Sequence, residues 1–254
     1  MLELKGLSKQ FGGLRAISDL SFVVHQGEFF GIIGSNGAGK TTLLNLITGY
    51  LSPTAGTIAF EGRRVDGLRP FQICRLGIGR TFQVVQPLAE MSVEDNVVAG
   101  ALFSSSERIS VAEARRRAQS PLEMVGLSGR RAAPAGALSL AEKKKLELAR
   151  VLATRPRLLL LDEVMGGLPP ADVRELVAVL RRIHQSGATI VMIEHQIRVI
   201  LELAQTVFVL NFGTRLLQGA PNEVVSHPDV IEAYLGRPLD SNAASALNAP
   251  KTNS

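Results

Sequence analysis

The chemistry starts at residues 34–42, which read Gly34-Ser35-Asn36-Gly37-Ala38-Gly39-Lys40-Thr41-Thr42. This is the spacing G-x-x-x-x-G-K-[ST], set between an apolar run, FFGII, and a helix-forming run, TTLLNLI. Glycines let backbone N–H groups turn inward around phosphate oxygens, and the helix start adds its partial positive charge. Lys40 is placed to reach the β and γ phosphates of a nucleoside triphosphate, Thr41 to ligate Mg²⁺, and Thr42 to reach the α phosphate. The second half of such a site is an acid at the end of a strand. RLLLLDEV supplies it. Its leucines make a buried strand, and Asp162 emerges at the end to hold Mg²⁺ through water. Glu163 follows as the general base that polarises an attacking water.

These residues need a scaffold that brings strand ends together. LELKGLSKQF and AISDLSFVV read as strands separated by GG, and GEFFGIIG as an apolar strand ending in glycine. A helix starts near Gly39, SPTAGT is a turn, and TIAFEG is another strand. The region 84–155 reads as helical. It opens with Ser92 as a cap and Asp95 three residues on, and continues through VAEARRRAQSPLEMVGL and LAEKKKLELARVLATR. The last third alternates: strand RLLLLDEV, helix PADVRELVAVLRRIHQSG, strand ATIVMIEH, helix QIRVILELAQT, hairpin VFVLNFGTRLLQGA, and a pair of short helices in PNEVVSHPDVIEAYLG. Apolar strands alternating with helices predict an α/β fold with a largely parallel sheet covered on both faces. The segment 237–254 is small and polar, and disorder is expected there.

Composition narrows the function classes. The chain has 254 residues, enough for one large domain or two small ones. Tryptophan is absent and aromatics are 5%, which argues against stacking platforms for single-stranded nucleic acid. Cys74 is the one cysteine, so no internal disulfide forms, and a reducing compartment fits best. MLELKGLSKQ has charges where a secretory signal needs an apolar core. The best apolar runs, LLLL and TIVMI, fall far short of the roughly 18 residues of a membrane helix, so a membrane role is expected to run through a partner. The net charge is +5, with basic clusters at 63–64, 115–117, 130–131, 143–145 and 181–182. These fit solvated faces, or a phosphate-bearing ligand or acidic partner.

Taken in order, the motifs resemble those of an ABC-transporter ATP-binding subunit over about residues 2–236. The resemblance rests on GSNGAGKTT at 34–42, RTFQ at 80–83, LSLAE at 138–142, LLLLDE at 158–163 and IEHQ at 193–196. It implies a P-loop NTPase fold of the ABC nucleotide-binding type: a RecA-like core, an N-terminal antiparallel β subdomain, and a helical subdomain inserted between Lys40 and Asp162. It also implies that Phe11 stacks on the adenine of ATP. Gln83 then touches Mg²⁺ and reports nucleotide state to the membrane subunit, and His195 contacts the γ phosphate. The family signature is LSGGQ. Here Ser139, Leu140, Ala141 and Glu142 stand in its place and would meet the γ phosphate bound by a second subunit.

Read without the resemblance, Ser139 and Glu142 form a capping box. The two readings are compatible, because a capped helix start is also an anion site. Ala141 brings a methyl group, and Glu142 an acid, to where a triphosphate docks; Lys143–Lys145 are expected to offset the acid. Pro169 stands in GGLPP where many ABC subunits carry an aspartate. These departures favour a heterodimer with an LSGGQ-type ATP-binding subunit, with a homodimer as the alternative.

IGRTFQVVQPLAEMSVEDNVVAG, IEHQIRVI and GAPNEVVSHPDVIEAYLG resemble the matching stretches of branched-chain amino acid transport ATP-binding proteins. That implies ATP hydrolysis with Mg²⁺, powering uptake of a branched-chain amino acid or related solute. Transmembrane permease subunits would carry the solute and a periplasmic solute-binding protein would deliver it. The chain would sit at the cytoplasmic face of the membrane and bind no nucleic acid. The stretch 84–98, with Val84, Val85, Leu88 and Met91, is expected to receive the permease's coupling helix. Three alternatives stand beside this. One is a lipopolysaccharide-export ATPase, which shares the ending more than the RTFQ segment. A second is a regulatory ATP-dependent clamp with weak turnover, suggested by the altered signature and opposed by the presence of Asp162 and Glu163. The third is a soluble ATPase acting on nucleic acid, opposed by the single cassette and the lack of a heptad run.

Overall fold

A computed structural model describes residues 1–83, 86–104 and 109–235. The expected tail, 237–254, lies outside them, as do Val84 and Val85. The chain opens with an antiparallel hairpin, β1 (Leu2–Phe11) and β2 (Leu14–Val24), turned at Gly12-Gly13. Next come β3 (Phe29–Ile33), helix α1 (Lys40–Ile47), β4 (Ala55–Phe60) and β5 (Arg63–Arg64). Strands β4 and β5 join the hairpin in an antiparallel sheet of order β2-β1-β4-β5. Helix α2 (Pro70–Arg75) and strand β6 (Ile78–Arg80) follow. The sequence reading has no element at either place, because both are too short to show a period.

Three helices occupy the middle: α3 (Val93–Ser104), α4 (Val111–Met124) and α5 (Leu140–Leu152). Then β7 (Leu158–Asp162), α6 (Pro170–Gln185), β8 (Thr189–Ile193) and α7 (Ile197–Leu203) alternate as expected. The hairpin of β9 (Thr206–Asn211) and β10 (Thr214–Gly219) and two short helices, α8 (Pro221–Ser226) and α9 (Pro228–Leu235), complete the described chain.

The main sheet has the order β10-β9-β3-β8-β7-β6, parallel throughout except for β10 at the edge. Its strands read as unbroken apolar runs because both faces are covered. Phe30, Ile32, Leu158, Leu160, Val191 and Ile193 pack with α1 and the N-terminal sheet. Their neighbours Phe29, Ile33, Leu159, Leu161, Ile190 and Met192 share the opposite core with α3–α6. The side-chain alternation of a strand thus serves two cores at once.

The sheet order decides where the chemistry goes. The phosphate loop follows β3, His195 follows β8, Glu163 follows β7 and Gln83 follows β6. These are four neighbouring parallel strands, and all four segments leave from their carboxyl ends. Adjacent strands are about 4.8 Å apart, so side chains from four distant parts of the chain meet at one edge.

Candidate active site

The phosphate loop is shaped by two tight backbone approaches. A side chain on Gly34 would bring its Cβ within 2.5 Å of the Leu210 carbonyl oxygen. Gly39 has φ +104°, and a Cβ there would lie 2.7 Å from the Ala16 carbonyl oxygen. Alanine at Gly39 would therefore meet a clash and an unfavourable backbone conformation together. Gly39 caps α1 without a side-chain bond. The N–H groups of Gly39, Lys40, Thr41 and Thr42 find no acceptor among the described residues. The first amides of a helix have no intrahelical partner, so here they form an anion cradle. Lys40 folds back over the loop and donates to the carbonyls of Gly34 (2.7 Å) and Ser35 (3.1 Å). Burial holds its pKa below the usual lysine value, and Glu163 and Asp162 partly restore it.

The loop opens on a cleft of about 750 Å³. Phe11, Asn36, Gly37, Gly39, Lys40, Thr41, Thr42, Gln83, Glu163 and His195 all line it. Gly34, Ser35 and Ala38 form the back of the loop. Phe11 is 44% exposed, with the Lys9 ammonium 5.0 Å from its ring centre. An uncovered aromatic at the mouth suits a stacked base. Sequence reasoning missed Leu14, Arg15, Ala16 and Phe212, which line the same cleft. Phe212 sits at the tip of the β9–β10 hairpin, 82% exposed. Nothing in its local pattern signals this place, because the β9–β3 pairing brings it there.

Glu163 is the centre of the site. Gln83 Nε2 donates to its Oε2 at 2.6 Å, and His195 Nε2 lies 2.7 Å from its Oε1. Its φ is +48°, a left-handed conformation that costs a non-glycine residue on the order of 1 kcal/mol. The Glu163 N–H donates to the Ile193 carbonyl at 3.0 Å, which fixes the end of β7 to the end of β8. Strain held by surrounding structure is common where a side chain must be aimed.

Asp162 stands behind Glu163, 3% exposed. Its Oδ2 accepts from Arg80 Nη2 at 2.9 Å, and its N–H donates to Thr81 Oγ1 at 3.2 Å. Arg80 also donates to Asn45 Oδ1 (2.7 Å) and Thr48 Oγ1 (3.1 Å), tying β6 and β7 to α1. The ion pair was not expected from sequence; its signal was the basic residue opening RTFQ. The donors assigned to Mg²⁺ are a hydroxyl (Thr41), an amide (Gln83) and a carboxylate (Asp162). Hard oxygen donors that are few in number suit Mg²⁺, which keeps waters and takes substrate phosphates as further ligands.

Ser139, Leu140, Ala141 and Glu142 do not line this cleft. They cap α5 elsewhere. Ser139 Oγ accepts the Glu142 N–H at 3.2 Å, and Glu142 Oε2 accepts the Ser139 N–H at 2.9 Å. The capping box is therefore closed, and Glu142 also reaches Arg130 Nε at 3.3 Å. The Ser139 N–H, with help from Arg130, holds the Glu142 carboxyl below its usual range. Of the lysines expected to offset this acid, Lys145 adds its charge to that of Arg130, although its ammonium also pairs with Glu175 at 2.5 Å. Lys144 donates instead to the Gln83 carbonyl at 3.2 Å.

Residues 17–166 match the family described as ABC transporter, and residues 215–240 match branched-chain amino acid ATP-binding cassette transporter. The chain is 38% identical to the "High-affinity branched-chain amino acid transport ATP-binding protein LivG" of Salmonella typhimurium, over 93% of this chain and 98% of that protein. It is 37% identical, with the same coverage, to the protein of that description called BraF in Pseudomonas aeruginosa. Among solved structures, the ADP conformation of an ATP-binding cassette of an ABC transporter superposes with a TM-score of 0.85 at 31% identity, covering 93% of this chain and 99% of that one. A dimeric bacterial ABC transporter cassette superposes with a TM-score of 0.78 at 25% identity, covering 87% and 99%.

Proposed function

The chain belongs to the ABC transporter family as an ATP-hydrolysing cassette, and on that premise we propose that it powers uptake of branched-chain amino acids or a related small solute through partner permeases. One observation carries the chemistry: Glu163 is held between Gln83 and His195 at the mouth of the phosphate loop. The solute rests on the relatives' names and on the match at residues 215–240.

The loop amides and Lys40 bind the β and γ phosphates, and Phe11 stacks on the base. Thr41, Gln83 and Asp162 would hold Mg²⁺, which would supply positive charge against the triphosphate. Glu163 takes a proton from water as the water oxygen attacks the γ phosphorus. The bond from that phosphorus to the bridging oxygen breaks, leaving ADP and phosphate. His195 steadies the γ phosphate, and Gln83 passes nucleotide state to the permease.

A permease contact is supported by a groove of about 510 Å³ lined by Tyr50, Phe71, Ile73, Cys74 and Phe82. Tyr50, Phe71 and Phe82 are 55%, 51% and 43% exposed, and exposed aromatics this dense suit a partner helix. This groove lies next to Gln83 and mostly upstream of the 84–98 stretch expected from sequence. Within that stretch, Leu88 and Met91 are also exposed. The signature at Ser139–Glu142 completes the site of a second ATP-binding subunit, and its departures favour a heterodimer. The closed capping box at Glu142 supports the second reading, a clamp with weak turnover.

Reconstitution in liposomes with permease subunits and a solute-binding protein tests the solute. Leucine, isoleucine or valine is expected to stimulate ATP turnover, and Lys40→Ala to abolish it. Turnover that ignores all three and responds to lipopolysaccharide would favour the export reading.

A further inference from the structure

One face of α5 makes three contacts with the backbone around Gln83. Glu147 Oε1 accepts the N–H of Phe82 at 2.5 Å. Lys144 Nζ donates to the carbonyl of Gln83 at 3.2 Å. Arg150 Nη1 donates to the carbonyl of Gln86 at 3.0 Å. Residues 144, 147 and 150 are spaced by three, so they lie along one side of the helix. Lys144 and Glu147 are buried, at 4% and 7% exposed. Burying an ammonium and a carboxylate is costly, and apolar side chains of the same size would pack as well or better. The second oxygen of Glu147 has no hydrogen-bond partner among the described residues. Burial accordingly pushes its carboxyl above the usual range.

Stability alone does not account for this pair. The two side chains bracket a short piece of backbone: one holds the amide entering Phe82, the other the carbonyl leaving Gln83. The Gln83 side chain then meets Glu163 at 2.6 Å. The same helix starts at Ser139, two turns before Glu147, a rise of about 12 Å.

We infer that Lys144 and Glu147 are positioning residues for Gln83: from one face of α5 they fix the backbone that aims its side chain at Glu163. This rests on the ATPase reading given above.

The test uses the full chain with three variants. Glu147→Leu keeps the bulk and removes the acceptor. Glu147→Gln keeps the acceptor. Lys144→Met keeps the stem and removes the donor. Steady-state turnover, Mg-ATP binding, urea midpoint and amide exchange at Phe82 and Gln83 are measured for each. Glu147→Leu and Lys144→Met are expected to lower kcat about tenfold or more, because misplacement of a positioning group costs rate. KM is expected to stay within about threefold, since the loop amides, Lys40, Thr41 and Asp162 still bind Mg-ATP. Exchange at Phe82 should quicken while α1 is unchanged, and Glu147→Gln should restore both readouts.

The inference is overturned if Glu147→Leu and Lys144→Met both keep wild-type kcat. It is also overturned if exchange at Phe82 is unchanged when kcat falls, or if Glu147→Gln loses as much as Glu147→Leu. If Glu147→Leu does not fold, Lys144→Met decides by the same readouts. A wild-type chain that shows no ATP turnover would sink the parent reading instead. Amide exchange would still report whether Glu147 and Lys144 hold the loop.

Discussion

Glu163 concentrates three roles in one side chain: it accepts from Gln83 and His195, and it sits in a strained backbone at the cleft. Replacing it by glutamine keeps shape and removes the base. Glu163→Gln is expected to lower turnover by about 10²–10⁴-fold, the usual worth of a general base, while leaving ATP affinity close to wild type. A coupled turnover assay beside equilibrium ATP binding checks this. A second acid, Glu194, is 2% exposed and accepts the Met165 N–H at 2.8 Å. Burial pushes its pKa up from 4.5 to about 7, and the negative charge of Glu163 adds to the rise. The folded chain therefore holds this proton more tightly than the unfolded chain does. Its contribution to stability is complete below pH 4.5 and is lost as pH rises through about 7. Between pH 5 and 8 the wild type is expected to lose roughly 3 kcal/mol more than Glu194→Gln, from the size of the shift. Urea midpoints at the two pH values measure it; equal losses would contradict it. At this scale the phosphate loop, Asp162 and Glu163 were legible because their chemistry is written in contiguous residues. Arg80 and Glu147 were not, because each meaning depends on a partner far along the chain.

At the scale of elements, the site is a consequence of strand order. The apolar runs at β3, β7 and β8 announced themselves, and their alternation with helices predicted a parallel sheet. The order β3-β8-β7-β6 is set by pairing, which local pattern does not encode. That order puts Gln83 beside Glu163, and it puts Arg80 on β6 across from Asp162 on β7. Arg80 joins three elements through one guanidinium, reaching Asp162, Asn45 and Thr48. Arg80→Leu leaves a buried carboxylate without its hydrogen-bonded counter-charge. The expected cost is about 3–5 kcal/mol of folding stability, measured as a fall in urea midpoint. A change below about 1 kcal/mol, the range of exposed pairs, would mean Asp162 is already compensated by other groups. The short elements α2 and β6 escaped the sequence reading for the same reason that they matter. They hold position through neighbours, with too few residues for a period.

At the scale of the molecule, the proposed function has one chain contribute to two different sites. Its cleft carries Lys40, Glu163 and His195, and the Ser139–Glu142 end of α5 lies outside that cleft. No helix among the described residues is long and apolar enough to cross a membrane. The reading of LSLAE as a signature rests on its place in the sequence. That Glu142 turns back to close the helix end was readable, as a capping box. That Lys144 turns to the Gln83 carbonyl was not, since it depends on what α5 packs against.

The most direct measurement is ATP-dependent association of purified Glu163→Gln, by size-exclusion chromatography with light scattering, alone and with an LSGGQ-type cassette of the same transporter. The account predicts a chain that binds ATP but stays monomeric alone, and a one-to-one dimer with the partner that forms only in Mg-ATP. Chains that remain separate in Mg-ATP even with the partner, or a homodimer that forms in Mg-ATP without it, would contradict the account.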